Sequence, residues 1–506
     1  MEKQSLQRLV NYIEENLRAS MRAGLPFVDP RGHQSRIVTR QNHVAFGRRG
    51  AGKSTLLRSI SDPDRQSVAV NLEDYKDVTF PNIVIQILMS VFRELQNAHR
   101  KKRRYWWLRP SGRRLNRDLR TTAESLAKEL RQPDRQDVEV RSTEAATRGA
   151  AVGAGLSGGS ASAEVGSRTE TSTTRSVARD KLTYLKNELT AFKRLVSQAA
   201  SIMETDSVFL VLDDFYFVAK DVQPDCIDFF HRMTKDTPLY IKVGTIRHRT
   251  RLIRRGGGQT VGVEVGHDVL DVDMDYMLDR FDELRSFMRQ LLIDAAAAAG
   301  ASTDVDDLFA GEGFGQLCLA SGGVPRDFLG LFVRLGSQLQ SGEISSIGKV
   351  EVTEAAIQAG RGKFDSLADD AGAEREILEH YLRMIKELVY STKRTNAFLV
   401  AKDDLAGYPH EAQALRELVD LRLLHLADRN TSSAPSDGRR YEAYMLDVGL
   451  YDNSRPRNFN QLLPGAADEK SRRDALRASP RLGLRDLREG YLDLNTQTEL
   501  ALTDYP

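Results

Sequence analysis

One short segment combines the residue types and the spacing that bind a phosphate group. Residues 47–54 read Gly-Arg-Arg-Gly-Ala-Gly-Lys-Ser and match the pattern G-x-x-x-x-G-K-[ST] at each fixed position. In such a segment the glycines let backbone N–H groups turn toward phosphate oxygens. Lys53 would then reach the outer phosphates of a nucleotide, and the Ser54 hydroxyl would coordinate Mg²⁺.

A pair of carboxylates far along the chain complements this segment. Asp213 and Asp214 follow a continuous apolar run at residues 208–212, which predicts a buried central strand of a parallel sheet. In a nucleotide site the first carboxylate would support the metal, and the second would orient or deprotonate the attacking water. Two solvated aspartates at the start of a loop are the alternative, which the phosphate-binding pattern disfavours.

The elements that must position these residues predict a parallel α/β core. A helix directly after residue 54 would place the phosphates at a helix N-terminus. Further helices are predicted at residues 82–95 and from Lys181 onward, and a loop at residues 254–258. Strands are predicted at residues 43–46, 67–72, 208–212, 239–245 and 260–265.

An insertion is predicted in this core at about residues 100–179. Ten Lys or Arg and one acid lie between Arg100 and Arg120, together with Trp106 and Trp107. This run would bind nucleic acid by phosphate contacts and base stacking, lie on an anionic membrane, or form a charged surface with its rings packed on a neighbouring helix. The Gly/Ser-rich remainder predicts disorder, with a β-hairpin within residues 138–175 as the alternative. We therefore predict that the core folds without the insertion.

The C-terminal half has a different periodicity. Helical spacing at residues 277–292 and 314–339 predicts a helical lid, with a glycine turn before Pro325. Helices at 374–392 and 411–424 and a hairpin at 424–428 and 441–446 predict a winged helix, which would read DNA or dock a protein. The chain after Tyr451 is predicted to be irregular.

Composition limits the class of protein. The chain has 506 residues, 41% hydrophobic residues and a formal charge of +2, so several globular domains are expected. No apolar stretch is long enough for a transmembrane segment, and the N-terminus lacks a signal peptide. The two cysteines, Cys226 and Cys318, are predicted to be reduced core thiols of a cytoplasmic protein.

The order of four motifs resembles the AAA+ superfamily, in the branch of origin-recognition initiators and STAND signalling ATPases. The motifs are GRRGAGKS at 47–54, VFLVLDD at 208–214, TIR at 245–247 and GGVPR at 322–326, and the resemblance covers roughly residues 30–450 outside the insertion. It implies that ATP and Mg²⁺ are the cofactors. The residues that it places on the nucleotide are Gly47, Arg49, Gly50, Ala51, Gly52, Lys53, Ser54 and Thr55.

The resemblance also assigns roles beyond the loop. Ser54 and Asp213 would support the metal, Asp214 would be the catalytic acid/base, and Arg247 and Arg326 would be the first and second nucleotide sensors. Most AAA+ motors have glutamate where this chain has Asp214, and the shorter side chain fits a slow switch at least as well as a fast motor.

These observations predict a three-layer P-loop ATPase core with a parallel sheet, followed by a helical lid and a winged helix. The predicted divisions are an N-terminal helix (1–29), the core (30–268), the lid (269–372), the winged helix (373–455) and a tail (456–506). The predicted function is a slowly hydrolysing ATP switch that controls homo-oligomeric assembly and recruits a separate effector protein, in antiphage defence. The alternatives are a DNA-binding initiator or loader, in which residues 100–120 bind nucleic acid, and a non-hydrolysing scaffold.

Overall fold

The computed structural model describes ten segments of the chain. They are residues 3–17, 25–60, 66–102, 110–132, 162–256, 258–302, 304–370, 375–453, 456–464 and 474–491. Trp106, Trp107 and residues 133–161 lie outside the described residues, so the hypotheses about the aromatic rings and about a hairpin in that stretch stay predictions.

Within the described segments, the strands form three sheets. They are β1 His43–Phe46, β2 Gln66–Asn71, β3 Val208–Asp213, β4 Leu239–Thr245, β5 Ile253–Gly256, β6 Gln259–Gly262, β7 Leu270–Asp273, β8 Ala397–Ala401, β9 Leu424–Thr431 and β10 Tyr441–Leu446. The central sheet has five strands in the order β2-β3-β4-β1-β7, and each neighbouring pair is parallel. The predicted parallel core is therefore confirmed, and the carboxyl ends of its strands meet at one edge.

Two details of this sheet differ from the prediction. The stretch predicted as its last strand instead forms β6, which pairs in antiparallel fashion with β5, in the segment predicted as a loop. The fifth strand is β7, beside β1, so the sheet extends past the predicted core boundary at residue 268. With only four residues, β7 shows too little alternation for its period to be recognised.

The helices complete the architecture. They are α1 Lys3–Asn16, α2 His33–Ile37, α3 Lys53–Arg58, α4 Asn82–Lys102, α5 Pro110–Leu130, α6 Ser162–Met203, α7 Gln223–Thr234, α8 Phe281–Ala298, α9 Gly313–Ala320, α10 Pro325–Ser341, α11 Lys349–Asp370, α12 Arg375–Lys386, α13 Lys402–Gly407 and α14 Pro409–Asp420. None of the helices in the described segments is long and apolar enough to cross a lipid bilayer.

Alternating side chains of β3 separate the layers of the core. Phe209 and Val211 pack with Leu56 and Leu57 of α3 on one face. Leu210 and its alternate neighbours pack on the other face with residues of α4, α6 and α7. Because both faces are covered, β3 is apolar throughout until Asp213, where it reaches the site. The result is the three-layer arrangement predicted from the sequence.

The predicted insertion is partly integrated into the core. Leu115, Leu119 and Leu126 of α5 are buried in the same apolar cluster as α4 and the sheet. The backbone of α6 is helical from Ser162, not from Lys181 as predicted, and the hairpin alternative is wrong for residues 162–175. Replacing all of residues 100–179 would therefore expose part of the core, and the prediction that the core folds without this region is wrong for α5.

The C-terminal half packs as one apolar cluster together with α1. The strands β8, β10 and β9 form an antiparallel sheet next to α12 and α14, so the predicted hairpin is present and gains a third strand. Residues 484–491 are helical, and Leu484 and Leu487 are buried, so this part of the predicted irregular tail is folded. Cys226 and Cys318 are buried free thiols, as predicted.

Candidate functional site

The loop between β1 and α3 has a backbone that only glycine adopts readily. Gly50 and Gly52 have φ angles of 88° and 94°, in the left-handed region where a side chain is strained. Gly50 also lies against the lid, because an added Cβ would be 2.8 Å from the Cβ of Arg326. Geometry therefore requires glycine at both positions, although only Gly52 is a fixed position of the pattern.

Lys53 opens α3 and is held under the loop. Its side chain is buried, and its Nζ donates to the carbonyls of Gly47 (2.8 Å) and Arg48 (3.1 Å). Burial lowers the pKa of Lys53, and the carboxylates of Asp214 and Asp213 act in the opposite direction. A desolvated cation with carbonyl partners is well suited to take a phosphate oxygen as an additional ligand.

Asp213 ends β3 and meets the first turn of α3. The Ser54 side chain hydrogen-bonds to its carboxylate, and the backbone N–H of Asp214 donates to its Oδ1 at 3.0 Å. Gly244 on the adjacent strand makes room, since an added Cβ would lie 2.7 Å from the same oxygen. Burial raises the pKa of Asp213, while Ser54 and Lys53 lower it.

Asp214 directly follows β3 and lies at a bend of the backbone. Its φ of 53° places it in the left-handed region, which turns the chain sharply after β3. Burial and the neighbouring Asp213 raise the pKa of Asp214 to about 6, against the opposing effect of Lys53. A carboxylate with a pKa near neutrality is suited to accept a proton from water.

Arg326 brings the lid to the loop. It follows Pro325 at the start of α10, and its backbone N–H donates to the carbonyl of Gly50 at 3.3 Å. Burial lowers the pKa of the Arg326 guanidinium, and nearby Arg49 and Arg422 lower it further. Several cations gathered around a half-buried guanidinium favour binding of an anion there.

A variable position of the pattern, Arg48, fastens the loop to the lid. Its side chain is buried, with Nε 3.3 Å from Oδ1 of Asp275. Its Nη2 donates to the carbonyls of Tyr276 (3.0 Å) and Gly322 (2.9 Å). The phosphate-binding pattern does not indicate this residue, because it allows any residue at this position. The structure thus makes Arg48 a positioning residue between loop and lid.

These residues line one cavity of about 930 Å³ between the core, the lid and the N-terminal segment. One part of its wall is polar and includes Lys53, Ser54, Asp213, Asp214 and Arg326. The other part is largely apolar. It includes Leu17, Leu25, Pro26, Phe27, Val28, Tyr276, Phe287 and Leu291. A wall divided in this way matches a ligand with a charged and an apolar half.

The cavity wall also includes residues that no sequence pattern indicated, among them Asn71, Glu73 and Arg422. Asn71 and Glu73 follow β2, and Asn71 is in register with Asp213 on the neighbouring strand. Arg422 comes from the turn between α14 and β9 in the C-terminal module, and its Nη1 lies 2.5 Å from Oδ1 of Asp327. Strand order could have suggested Asn71, but no local pattern points to Arg422.

Not all of the site residues predicted from the sequence lie in the cavity. Arg49, Gly50, Ala51, Gly52, Thr55 and the residues of the polar wall line the cavity, and Gly47 contributes a carbonyl to Lys53. Arg247 does not line it. Its guanidinium lies 4.1 Å from the centre of the Phe46 ring and near Asp271 and Asp273. The side chain crosses β1, away from Asp213, so its sensor role stays a prediction that would require a movement.

The oxygen donors of the cavity can be related to the coordination that a divalent cation requires. Within the described residues, no group of three or more His, Cys, Asp or Glu is arranged to hold a metal. Mg²⁺ usually takes one or two protein oxygens together with phosphate and water. The contact between Ser54 and Asp213 at the end of β3 fits that pattern, and these two residues would hold the ion beside a bound phosphate.

The sheet order, the glycine loop after β1 and the acidic end of β3 define the α/β phosphate-loop fold class. Neither the scan of family models nor the search of curated proteins finds a match. Three solved structures illustrate the similarity. They are the ORC1 protein of Aeropyrum pernix in complex with DNA (12% identity, 88% of both chains, TM-score 0.30), Drosophila ORC bound to DNA (10%, 88% and 89%, 0.33) and a Walker-type ATPase of Pyrococcus abyssi (11%, 83% and 95%, 0.38). Such values do not transfer a function to this chain.

Proposed function

We propose that this protein binds ATP with Mg²⁺ between core and lid, hydrolyses it slowly, and uses the lid as a nucleotide-dependent switch. The observation that carries the proposal is that the phosphate loop, Asp213, Asp214 and the lid residue Arg326 line the same cavity. Its polar wall would take the phosphates, and its apolar wall would take the base.

The chemistry follows from the positions of the side chains. Lys53 and the loop N–H groups neutralise and hold the phosphates, while Ser54 and Asp213 would hold a Mg²⁺ ion, which would supply further charge neutralisation. Asp214 accepts a proton from the attacking water. Arg326 binds the outer phosphate and so draws α10 toward the loop. The two cysteines take no part.

A series of contacts connects the lid with the C-terminal module. Lys363 of the lid donates to Oδ2 of Asp447 at 2.9 Å, and His425 lies 2.8 Å from the same atom. Burial would raise the pKa of Asp447, but Lys363 and His425 hold it at about 2. The imidazole of His425 in turn abuts Gly322, whose carbonyl binds Arg48. Movement of the lid would therefore move the winged-helix-like module, and we propose homo-oligomeric assembly and recruitment of a separate effector as outputs. Antiphage defence and a cytoplasmic location stay predictions.

The lid contact provides a direct test. Arg326→Ala should lower ATP turnover or ATP-dependent assembly by about tenfold or more, because the outer phosphate loses a charged ligand. The melting temperature should change little, since among the described residues the backbone N–H of Arg326, and not its side chain, forms a hydrogen bond. The matched control is Arg334→Ala, an exposed arginine two turns further along α10. Normal turnover and assembly in Arg326→Ala would remove this residue from the mechanism.

Nucleic-acid binding is a second candidate function, and α5 favours it. Arg113, Arg114 and Arg117 are exposed there, on the opposite side from the buried leucines. Three unburied arginines on one helix would contact successive phosphates of a polyanion. This candidate corresponds to the initiator-like alternative, now restricted to the helical part of the basic run.

The double variant Arg113→Ala/Arg117→Ala should weaken binding of a short DNA duplex and reduce the slope of log affinity against log salt by about two, one per phosphate contact. The control, Lys186→Ala/Arg194→Ala, removes two exposed charges from α6. Equal slopes in both variants, or the absence of salt-dependent binding in the wild type, would rule out this candidate. Fluorescence anisotropy at several salt concentrations provides the measurement.

A further inference from the structure

We propose that His33 reads the base of the bound nucleotide by a hydrogen bond from its imidazole ring. This inference rests on the proposed nucleotide binding and adds a specificity-determining residue on the apolar side of the same cavity. Neither the phosphate-binding pattern nor the acidic pair draws attention to this histidine.

The backbone around His33 is held in place. Oδ1 of Asp29 accepts from the backbone N–H of His33 and Oδ2 from that of Gln34, each at 2.7 Å. The preceding residue, Gly32, has a φ of 68°, which fixes the entry into α2. These contacts fix the backbone position of His33, and none of them involves its imidazole ring.

The ring itself has no partner among the described residues. His33 is 7% exposed, and neither Nδ1 nor Nε2 makes a hydrogen bond there. Leaving a buried donor and a buried acceptor unpaired is unfavourable. The same residue lines the cavity, in the segment that also contributes Phe27 and Val28 to the apolar wall. A ligand bound in the cavity would supply the partner that the described residues do not.

A neutral imidazole ring matches an uncharged hydrogen-bonding edge of a ligand. Burial lowers the pKa of His33, so the imidazole is neutral at pH 7, with one N–H donor and one acceptor nitrogen. A nucleobase edge presents the same two kinds of group, whereas a phosphate would favour a charged imidazolium. The phosphates are already matched by Lys53 and Arg326, so the base is the part of the ligand that His33 can bind.

Two stacked aromatic rings in the cavity wall support this position of the base. Tyr276 and Phe287 are parallel, with centroids 4.1 Å apart, and the Arg31 guanidinium lies 3.8 Å from the Tyr276 ring centre. Arg31 lies in the N-terminal segment, two residues before His33, and both rings line the cavity. This stack forms a rigid apolar wall against which a flat base would be held while His33 contacts its edge.

The test separates the base from the phosphates. Binding of ATP, GTP, CTP and inorganic tripolyphosphate, each with Mg²⁺, is measured by calorimetry for the wild type and for His33→Ala. Loss of one hydrogen bond to the base should weaken the preferred nucleoside triphosphate about tenfold. It should bring the affinities of the nucleotides closer together and leave that of tripolyphosphate within about twofold of the wild type. The purine or pyrimidine preference of the wild type identifies the base.

Matched variants complete the test. His33→Gln keeps a donor and an acceptor and should restore part of the base selectivity, whereas His231→Ala removes a buried histidine outside the cavity and should have no effect. If His33→Ala weakens nucleotide and tripolyphosphate equally, the role is structural and the inference is wrong. It is also wrong if no affinity changes. If the wild type binds none of the four ligands, the proposed function itself fails.

A measurement on the unaltered side chain covers the case in which His33→Ala does not fold. In ¹⁵N-histidine-labelled wild type, the imidazole signals absent from His33→Gln belong to His33. They should shift on addition of ATP and stay in place on addition of tripolyphosphate. Equal shifts with both ligands would contradict a contact with the base.

Discussion

Replacing Lys53 with Ala is expected to abolish ATP binding, with a loss of affinity of about 100-fold or more. The ammonium supplies charged hydrogen bonds to the phosphates, each worth about 1.5–3 kcal/mol. Among the described residues, its hydrogen bonds go to two loop carbonyls, and the side chain is buried. The folded state should therefore lose little stability when it is removed. Isothermal calorimetry and thermal unfolding of the same sample measure the two effects.

The control for this variant is Lys128→Ala, which removes an exposed lysine near the end of α5. It should bind ATP as the wild type does. If folded Lys53→Ala retains micromolar affinity for ATP, the nucleotide does not sit on this loop, and both the proposed function and the assignment of the polar wall are wrong.

Asp214→Asn is expected to lower ATP turnover by about 10²- to 10⁴-fold, the usual contribution of a general base. Binding should persist, because the amide occupies the same volume and the phosphates are held by other residues. The variant also distinguishes the slow switch from the non-hydrolysing scaffold. If the wild type has no turnover to lose while both proteins bind ATP, the scaffold alternative is correct.

The pH dependence of the wild type should follow from the same carboxyl group. Its pKa is raised to about 6, and the protonated acid cannot accept a proton from water. The value of kcat/KM, which reports ionisation of the free enzyme, should therefore fall as the pH drops below about 6. Asp214→Asn should lack this acidic limb.

Asp206→Asn is the matched control, since Asp206 precedes the other end of β3, where it is exposed and paired with Arg40. It should leave both the rate and the pH profile unchanged. Wild-type turnover in Asp214→Asn would move the proton acceptor elsewhere. Glu73 would be the next candidate, because it also lines the cavity.

The insertion shows how local composition can mislead. The predictions for the basic run between Arg100 and Arg120 rest on its charged and aromatic residues. They do not take its leucines into account. In the structure Leu115 and Leu119 lie on one side of α5 and are buried, while Arg113 and Arg117 lie on the other side and are exposed. The helical spacing of these leucines was already visible in the sequence. Whether a partner surface existed to bury them depended on α4 and the sheet.

The C-terminal module shows that local sequence patterns predict its elements but not its contact with the site. Its helix–strand pattern was readable locally, because each element has its own apolar period. That Arg422 would reach the cavity lined by the phosphate loop was not readable, because the contact joins residues hundreds of positions apart. Arg247 is the converse case: a motif placed it at the strand end, and its side chain crosses to Phe46 and Asp273 instead.

The amino-acid sequence by itself determined the phosphate loop, the acidic end of β3 and the parallel α/β class. These depend on short-range rules: left-handed φ angles that require glycine, apolar runs that must be buried, and a proline that opens a helix. Only the tertiary structure decided which distant side chains join them. Arg48 binds the lid, His33 lines the cavity and Arg422 enters from the last module, because strand order and helix packing set these positions. Packing of this kind is a property of the whole chain, and no local pattern encodes it.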